Sequence, residues 1–426
     1  MSRFPAVTET FILRELVELE RQGVEVVLVP LLHDAVSVLH PDARVWDARA
    51  LYTPFVDGRI LAANLALLMR APWRYLRAWG RMLWTHRSSG NALLGTLGIF
   101  PKAVWAGRRL RELGVSHVHA HYATHPATAA WIASRVHLPG EQPLPYSVTA
   151  HAHDIFVSRA GLALKLGDAS FVRCISRFNA GFLARALARE GARWPAEHLP
   201  VIHCGIHPER YRRDPVPGVP GVDRPARLLC IASHRPYKGL PVLIDAVRTL
   251  RDRHTRVVCD VIGEGVLRPQ LEARIRARGL EGEVRLVGTR TESEVSAEIS
   301  KADLFVLPSV VAPDGQMEGI PIVLMEALAA GVPTIASALS GIPELVVDGE
   351  TGRTVPPGDA QALADAVDAV LGDYPRALER ARAGATRVRR DFAIDHNVGL
   401  LVERIAETSP IARTSPGGAY TPATSR

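Results

Sequence analysis

Short apolar, β-branched runs alternate with segments of helical periodicity along most of the chain, and no other feature constrains the fold as strongly. The strand-like runs of the first half are 24–29 (VEVVLV), 117–122 (HVHAHY), 145–152 (PYSVTAHA) and 170–176 (SFVRCIS), closed by 201–206 (VIHCGI). Residues 214–225 (DPVPGVPGVDRP) are too rich in proline and glycine for an element interior and read as an interdomain linker. The alternation then restarts at 227–233, 256–263, 284–289, 304–309 and 333–337. Near-continuous apolar strands with helical crossovers imply parallel sheets covered on both faces. Two such blocks imply an α/β protein of two Rossmann-like, doubly wound domains. Ligands of such sheets bind beyond the carboxyl ends of the strands, and a cleft between the domains is the expected site. A length of 426 residues fits, being too long for one ordinary core.

The expected layout is a first domain over 1–205, a linker over 206–226 and a second domain over 227–390. A C-terminal helix over 391–408 is expected to pack back on the first domain. The polar, Pro/Gly-rich residues 409–426 read as a disordered tail. The chain opens with a loop and a helix, so the first strand is expected to be missing, and a start upstream of Met1 is favoured.

Composition removes several classes of function. The net charge of +7 invites nucleic acid, but lysine occurs only at Lys102, Lys165, Lys238 and Lys301. An arginine excess spread evenly along the chain is not a designed basic face, so no nucleic-acid partner is expected. Cys174, Cys204, Cys230 and Cys259 are far apart and form no CxxC pair, which argues against a zinc site or a disulfide framework. No signal peptide is visible, and the longest apolar stretch, 60–69, is about half of a bilayer span. A cytoplasmic protein is expected, at most touching the inner face of the cytoplasmic membrane.

Residues 317–328 read MEGIPIVLMEAL. Pro321 lacks an N–H and fits a first helical turn, so a helix is expected from Ile320 to Ala330, with Gly331 as its stop. Glu318 and Gly319 then stand at the helix mouth, where free N–H groups favour an anion. A lone glutamate there would more readily be read as offsetting the helix dipole. Glu326 is less easily explained, because its helix is apolar all round and so buried. A carboxylate there must be paired with an arginine or bonded to ligand hydroxyls. Upstream, a strand ends near Ser233, and Lys238 with Gly239 opens a helix. A cation opposes the dipole at that end but fits if a phosphate lies between them; an exposed lysine without a partner is the competing reading.

The order strand–xxxxKG–helix, VIGEG, VRLVG, LFVLPS, then E-x7-E and SGIPELVVDGETG resembles glycosyltransferase family 4, a family of retaining enzymes with the GT-B fold. The resemblance covers nearly all of 201–359. In the first half, RFPAVTETFILREL, HVHAHYATHPA, YSVTAHAHDIF and CISRFNAGFL resemble the glycosyltransferases of bacterial exopolysaccharide assembly, of the colanic-acid type. Residues 54–97 carry no specific motif.

The resemblance implies a nucleoside-diphosphate sugar donor and a glycan or polyprenyl-diphosphate-linked acceptor, with no metal and no cofactor. It implies that Glu318 approaches the donor sugar and that Glu326 binds the ribose hydroxyls. The N–H groups of Gly319, Ile320 and Ile322 would hold the diphosphate, and Lys238 would neutralise it. Family members usually carry an arginine five residues before that lysine; Ser233 stands there, and Arg235 is the candidate replacement. His151 matches the family histidine near the reacting centre. Glu9, Thr10, His121 and Asp154 are acceptor-side candidates. Rival readings are a sugar-nucleotide epimerase or phosphorylase of the same fold, and a non-catalytic nucleotide-sugar binding protein.

Residues 70–87 (RAPWRYLRAWGRMLWTHR) place Arg70, Arg74, Arg77 and Arg81 at helical spacing among Trp73, Tyr75, Trp79 and Trp84. Such a helix suits an anionic membrane surface, and equally a solvated face with its aromatics in the core.

Overall fold

The computed structural model describes residues 1–5, 10–34, 41–52, 57–87, 90–157, 159–192, 194–213 and 219–409. The chain divides into two units. One comprises Met1–Cys174, Ala180–Ile202 and Val398–Arg426; the other comprises Ile175–Asn179 and His203–Asn397.

In the first unit, β1 (Arg3–Phe4) pairs in parallel with β2 (Leu32–His33). β3 (Val118–His121), β4 (Tyr146–Ala150) and β5 (Phe171–Cys174) form a second parallel sheet in that order. All five residues of the central strand β4 are buried, as covered parallel sheets require. The helix Thr10–Arg21 buries Ile12, Leu13 and Leu16 against Phe4, Leu28 and Trp46. Burial of each such side chain stabilises by about 1.5–3 kcal/mol. The helix Ile394–Ala406 returns to this unit, where Leu401 and Ile405 pack on Phe171.

Several expectations fail here for identifiable reasons. The chain does open with a strand, but one of two residues is too short to show a period. Residues 24–29 are apolar enough for a strand yet only Val24 makes a bridge, although Leu28 packs in the core and its carbonyl accepts from the Leu51 N–H at 2.8 Å. The stripe at 70–87 is not one helix. Gly58–Arg70 ends at Ala71, and Pro72 starts a new helix, Pro72–His86. Ser409 is buried and its hydroxyl lies 2.8 Å from His117 Nδ1, so the expected tail does not begin there. Residues 410–426 lie outside the described residues.

The second unit holds a six-stranded, wholly parallel sheet. Its strands are β6 (Ala226–Ile231), β7 (Val257–Ile262), β8 (Val284–Gly288), β9 (Leu304–Leu307), β10 (Thr334–Ser337) and β11 (Arg353–Val355). The order is β11-β10-β9-β6-β7-β8. The chain runs outward from β6 in one direction and from β9 in the other, so the topological switch point lies between those two strands. The described part of the expected linker belongs to this unit. Arg224 grips Asp303, at the head of β9, through both oxygens at 2.5 and 2.7 Å. Both units are parallel α/β, the class read from the alternation. All four cysteines are buried free thiols. Among the described residues no helix is long and apolar enough to cross a membrane.

Candidate active site

The loops that leave β6 and β9 stand on either side of the switch point. After β6 the chain makes one tight turn, Pro236–Lys238, and then enters the helix Leu240–Asp252. Gly239 joins them at φ 65°, and a Cβ there would lie 1.9 Å from the carbonyl oxygen of Pro308. Only glycine allows both the left-handed conformation and that approach. The Val310 N–H donates to the Tyr237 carbonyl at 2.9 Å, so the two loops are fastened together. This fastening delivers Lys238 to Glu318. Their side chains form an ion pair with only 13% and 10% of their surfaces exposed, and Ser309 Oγ lies 3.5 Å from the same carboxylate oxygen. Burial works against the charge of Lys238, but the Glu318 carboxylate outweighs it and raises the lysine pKa.

The helix after Glu318 runs Ile322–Ala329, shorter than expected. Pro321 precedes it as an extended cap (ψ 129°) instead of filling its first turn. A residue before proline avoids the helical region, so Ile320 cannot begin the helix. Gly319 and Ile320 are buried in the bend before it, and Ile322 offers the first helical N–H.

Glu326 is buried, and the Tyr211 hydroxyl donates to its Oε1 at 2.8 Å. Tyr211 lies in the segment that reads as linker, 115 residues from its partner, so no local pattern marks it. Tyr211→Phe is expected to cost about 1–3 kcal/mol in urea denaturation, through the lost donor to a buried carboxylate. A value near zero would remove Tyr211 from the site. Arg235 is exposed and makes no ion pair among the described residues.

In the first unit, His151 follows β4 and is 6% exposed. Its ring lies 5.0 Å from that of Phe11 and 4.7 Å from that of Tyr122. Tyr122 has φ 77°, a strained conformation for an aromatic residue and one that clusters at functional sites. The buried Asp154 carboxylate accepts from the N–H groups of Ala123 at 2.8 Å and His151 at 3.1 Å, stapling the turns after β3 and β4 together. Burial raises its pKa, and those N–H donors oppose the rise. His121 is buried beside His151, with Nδ1 3.3 Å from His151 Nε2. Thr10 is exposed at the start of its helix, and Glu9 lies outside the described residues.

His119 lies on β3 and His117 immediately before it. His117 bonds Ser147 and Ser409; His119 bonds Ser147 and Thr149. Burial lowers the pKa of His117 to about 4 and lowers those of His119 and His151 as well. Because the unfolded chain binds more protons between 6.5 and the folded value, stability must fall as pH drops through that window. From pH 7 to pH 5, His117 alone is expected to remove about 2 kcal/mol. Urea titrations at those pH values check it, and a flat profile would rule out a buried neutral ladder. One oxygen of Glu15 and nitrogens of His119 and His121 lie within 4.8 Å of one another, close enough to share a metal ion. Arg173 already holds Glu15, however, and hydroxyls occupy both nitrogens of His119.

A parallel sheet with polar side chains gathered at its switch point is a nucleotide-binding architecture. Residues 219–387 match the family model "Glycosyl transferases group 1". Glycogen synthase of Mycobacterium tuberculosis (strain ATCC 25618 / H37Rv) is 30% identical over 328 residues, 71% of this chain and 73% of that one. The chain belongs to the group 1 glycosyl transferases. The putative colanic acid biosynthesis glycosyltransferase WcaL of Escherichia coli (strain K12) is 38% identical over 202 residues, 46% of this chain and 48% of that one. The chain spans about half the length of the first curated relatives it matches. Anabaena HepE, solved in complex with UDP and glucose, shares the fold with a TM-score of 0.63 and 18% identity, over 95% of this chain and 96% of that one.

Proposed function

We propose that the protein is a retaining glycosyltransferase that moves a sugar from a nucleoside diphosphate to a glycan acceptor in bacterial exopolysaccharide or surface-glycan synthesis. The observation that carries this is the meeting of Lys238 and Glu318 at the switch point, fastened there by the backbone of Gly239 and Val310. The names of the WcaL relative and of the HepE complex support the acceptor and donor classes. Negative charge develops on the departing diphosphate. Lys238 and the N–H groups around Gly319, Ile320 and Ile322 aim positive potential at it, which is the form of stabilisation a transferring phosphate needs. Glu318 faces the sugar, Glu326 the ribose and His151 a sugar hydroxyl. Attack by the acceptor hydroxyl on the face the diphosphate leaves keeps the anomeric configuration. In this reading the cationic charge comes from the protein, with neither a metal nor a cofactor. Arg235, exposed beside Lys238, reaches toward the outer phosphate.

Thermal shifts with UDP, GDP, ADP and their common sugars test the donor. One nucleotide at 100 times its Kd is expected to stabilise by about 2.7 kcal/mol, and no response to any of them would overturn the reading.

The acceptor is proposed to be lipid-linked, which places the protein against the inner face of the cytoplasmic membrane. Leu61, Leu65 and Leu68 line one face of Gly58–Arg70, and Trp73 and Trp84 stand 83% and 68% exposed on Pro72–His86. Arg77 and Arg81 flank them, exposed. Such apolar exposure beside arginines fits an anionic lipid surface. Arg74 has a different task, donating to the carbonyls of His137 and Leu138. The variant Trp73→Ala/Trp84→Ala/Arg77→Glu/Arg81→Glu should leave anionic liposomes that wild type co-sediments with; equal partition would discard the membrane contact.

A further inference from the structure

Glu15 has a position that sugar transfer as proposed above does not use. It lies on the helix Thr10–Arg21, 5% exposed, and receives Arg173 of β5 at 2.5 Å. The Arg173 side chain is 1% exposed and always charged, so its carboxylate partner must be ionised. The other oxygen of Glu15 lies 3.2 Å from His121 Nε2. On its far side, His121 places Nδ1 3.3 Å from His151 Nε2, with the two rings 23° from coplanar and their centroids 5.5 Å apart. That is the edge-to-edge arrangement of an N–H···N bond.

Proton placement follows from this geometry. The contact of His121 with Glu15 is an ion-pair approach without aligned hydrogen-bond geometry, and the oxygen has no other partner among the described residues; a carboxylate only accepts, so the nitrogen turned toward it is the one that carries the N–H. Glu15 and Arg173 already neutralise each other, and a second buried cation would have no partner. His121 is therefore neutral and its Nδ1 is an acceptor. His151 must then donate from Nε2, which leaves its own lone pair on Nδ1.

We propose that Glu15 is a positioning residue that acts through His121 to hold His151 as the Nε2–H tautomer, so that His151 meets a sugar hydroxyl as an acceptor at Nδ1. The role of His151 rests on the function proposed above; the tautomer does not. Phe11 and Tyr122 on the ring restrict its rotation, and the Asp154 staple holds its backbone, so the tautomer completes the orientation. An ionised carboxylate that sets a histidine tautomer is a general device for orienting such groups.

The test uses full-length protein labelled with 15N-histidine, in long-range proton–nitrogen correlation spectra, with His151→Gln for assignment. Wild-type His151 is expected to show a protonated Nε2 and a bare Nδ1. In Glu15→Gln and in His121→Phe the population should move toward the Nδ1–H form. In both, transfer should fall about tenfold or more while the UDP thermal shift stays that of wild type. His151 protonated at Nδ1 in wild type overturns the proposal, as does an unchanged tautomer in both variants or a shifted tautomer with unchanged transfer. Added zinc that moves the His119 and His121 resonances overturns it in favour of a metal site. Should both variants unfold, the wild-type spectrum still decides the tautomer of His151. None of the spectra needs a donor or acceptor, so failure of the tautomer and failure of the glycosyltransferase reading are told apart.

Discussion

Glu318→Gln is expected to lower sugar transfer by about 100- to 1,000-fold, the usual loss when a group that stabilises developing charge is removed. Nucleotide affinity should change little, because the diphosphate is assigned to Lys238 and the backbone. Glutamine keeps the shape of the side chain and a carbonyl that still accepts from Lys238, so the substitution isolates the charge. Alanine is the poorer probe, since it strands a lysine whose side chain is 13% exposed and adds a folding defect to the catalytic one. Transfer assays on the glutamine variant, with the nucleotide thermal shift alongside, separate the two effects. An unchanged transfer rate would refute the role given to Glu318.

Gly239→Ala is expected to destabilise the second unit by about 3 kcal/mol or more and to weaken the nucleotide response. Two costs combine. A left-handed conformation costs an ordinary residue about 1–2 kcal/mol, and forcing a methyl into a packed site costs about 1–3 kcal/mol. Here the obstacle is the Pro308 carbonyl, 1.9 Å from the new carbon, and a backbone atom cannot swing aside as a side chain end can. Relief requires the Lys238 turn to lift from the strand β9 exit, which moves Lys238 away from Glu318. Denaturant unfolding and the UDP-induced shift in melting temperature measure the two parts. A variant with wild-type stability and a wild-type shift would show that the loop contact does not set the site.

Much of this architecture is written locally in the chain. Five apolar runs in the second half became five of its six strands because each is long and continuous. Lys238 with Gly239, and Glu318 with Glu326, are local spacings, readable wherever the chain goes. β11 was not read, since three residues around Thr354 carry no period. Residues 24–29 misled for the opposite reason, since the apolar packing of Val26 and Leu28 does not require a full strand. The helix cannot begin at Ile320, the residue before a proline, and it starts at Ile322 with Pro321 as an extended cap.

The helices Gly58–Arg70 and Pro72–His86 show a mixed outcome. Tyr75 and Trp79 pack on Phe100, as core aromatics would, while Trp73 and Trp84 stand out in solvent. Composition could not sort these four, because all lie on one short helix and which of them finds a partner depends on the helix Gly90–Glu112 behind it.

Taken alone, the sequence determined the α/β class, the parallel sheets, the KG turn and the two glutamates, since each is written in a period or spacing of a few residues. Tertiary structure alone decided that Lys238 meets Glu318 across 80 residues, that Tyr211 satisfies Glu326, and that Glu15 reaches His151 through His121. Those pairings depend on which strands become neighbours. Strand order is chosen by packing over the whole sheet, and no local stretch of the chain contains it.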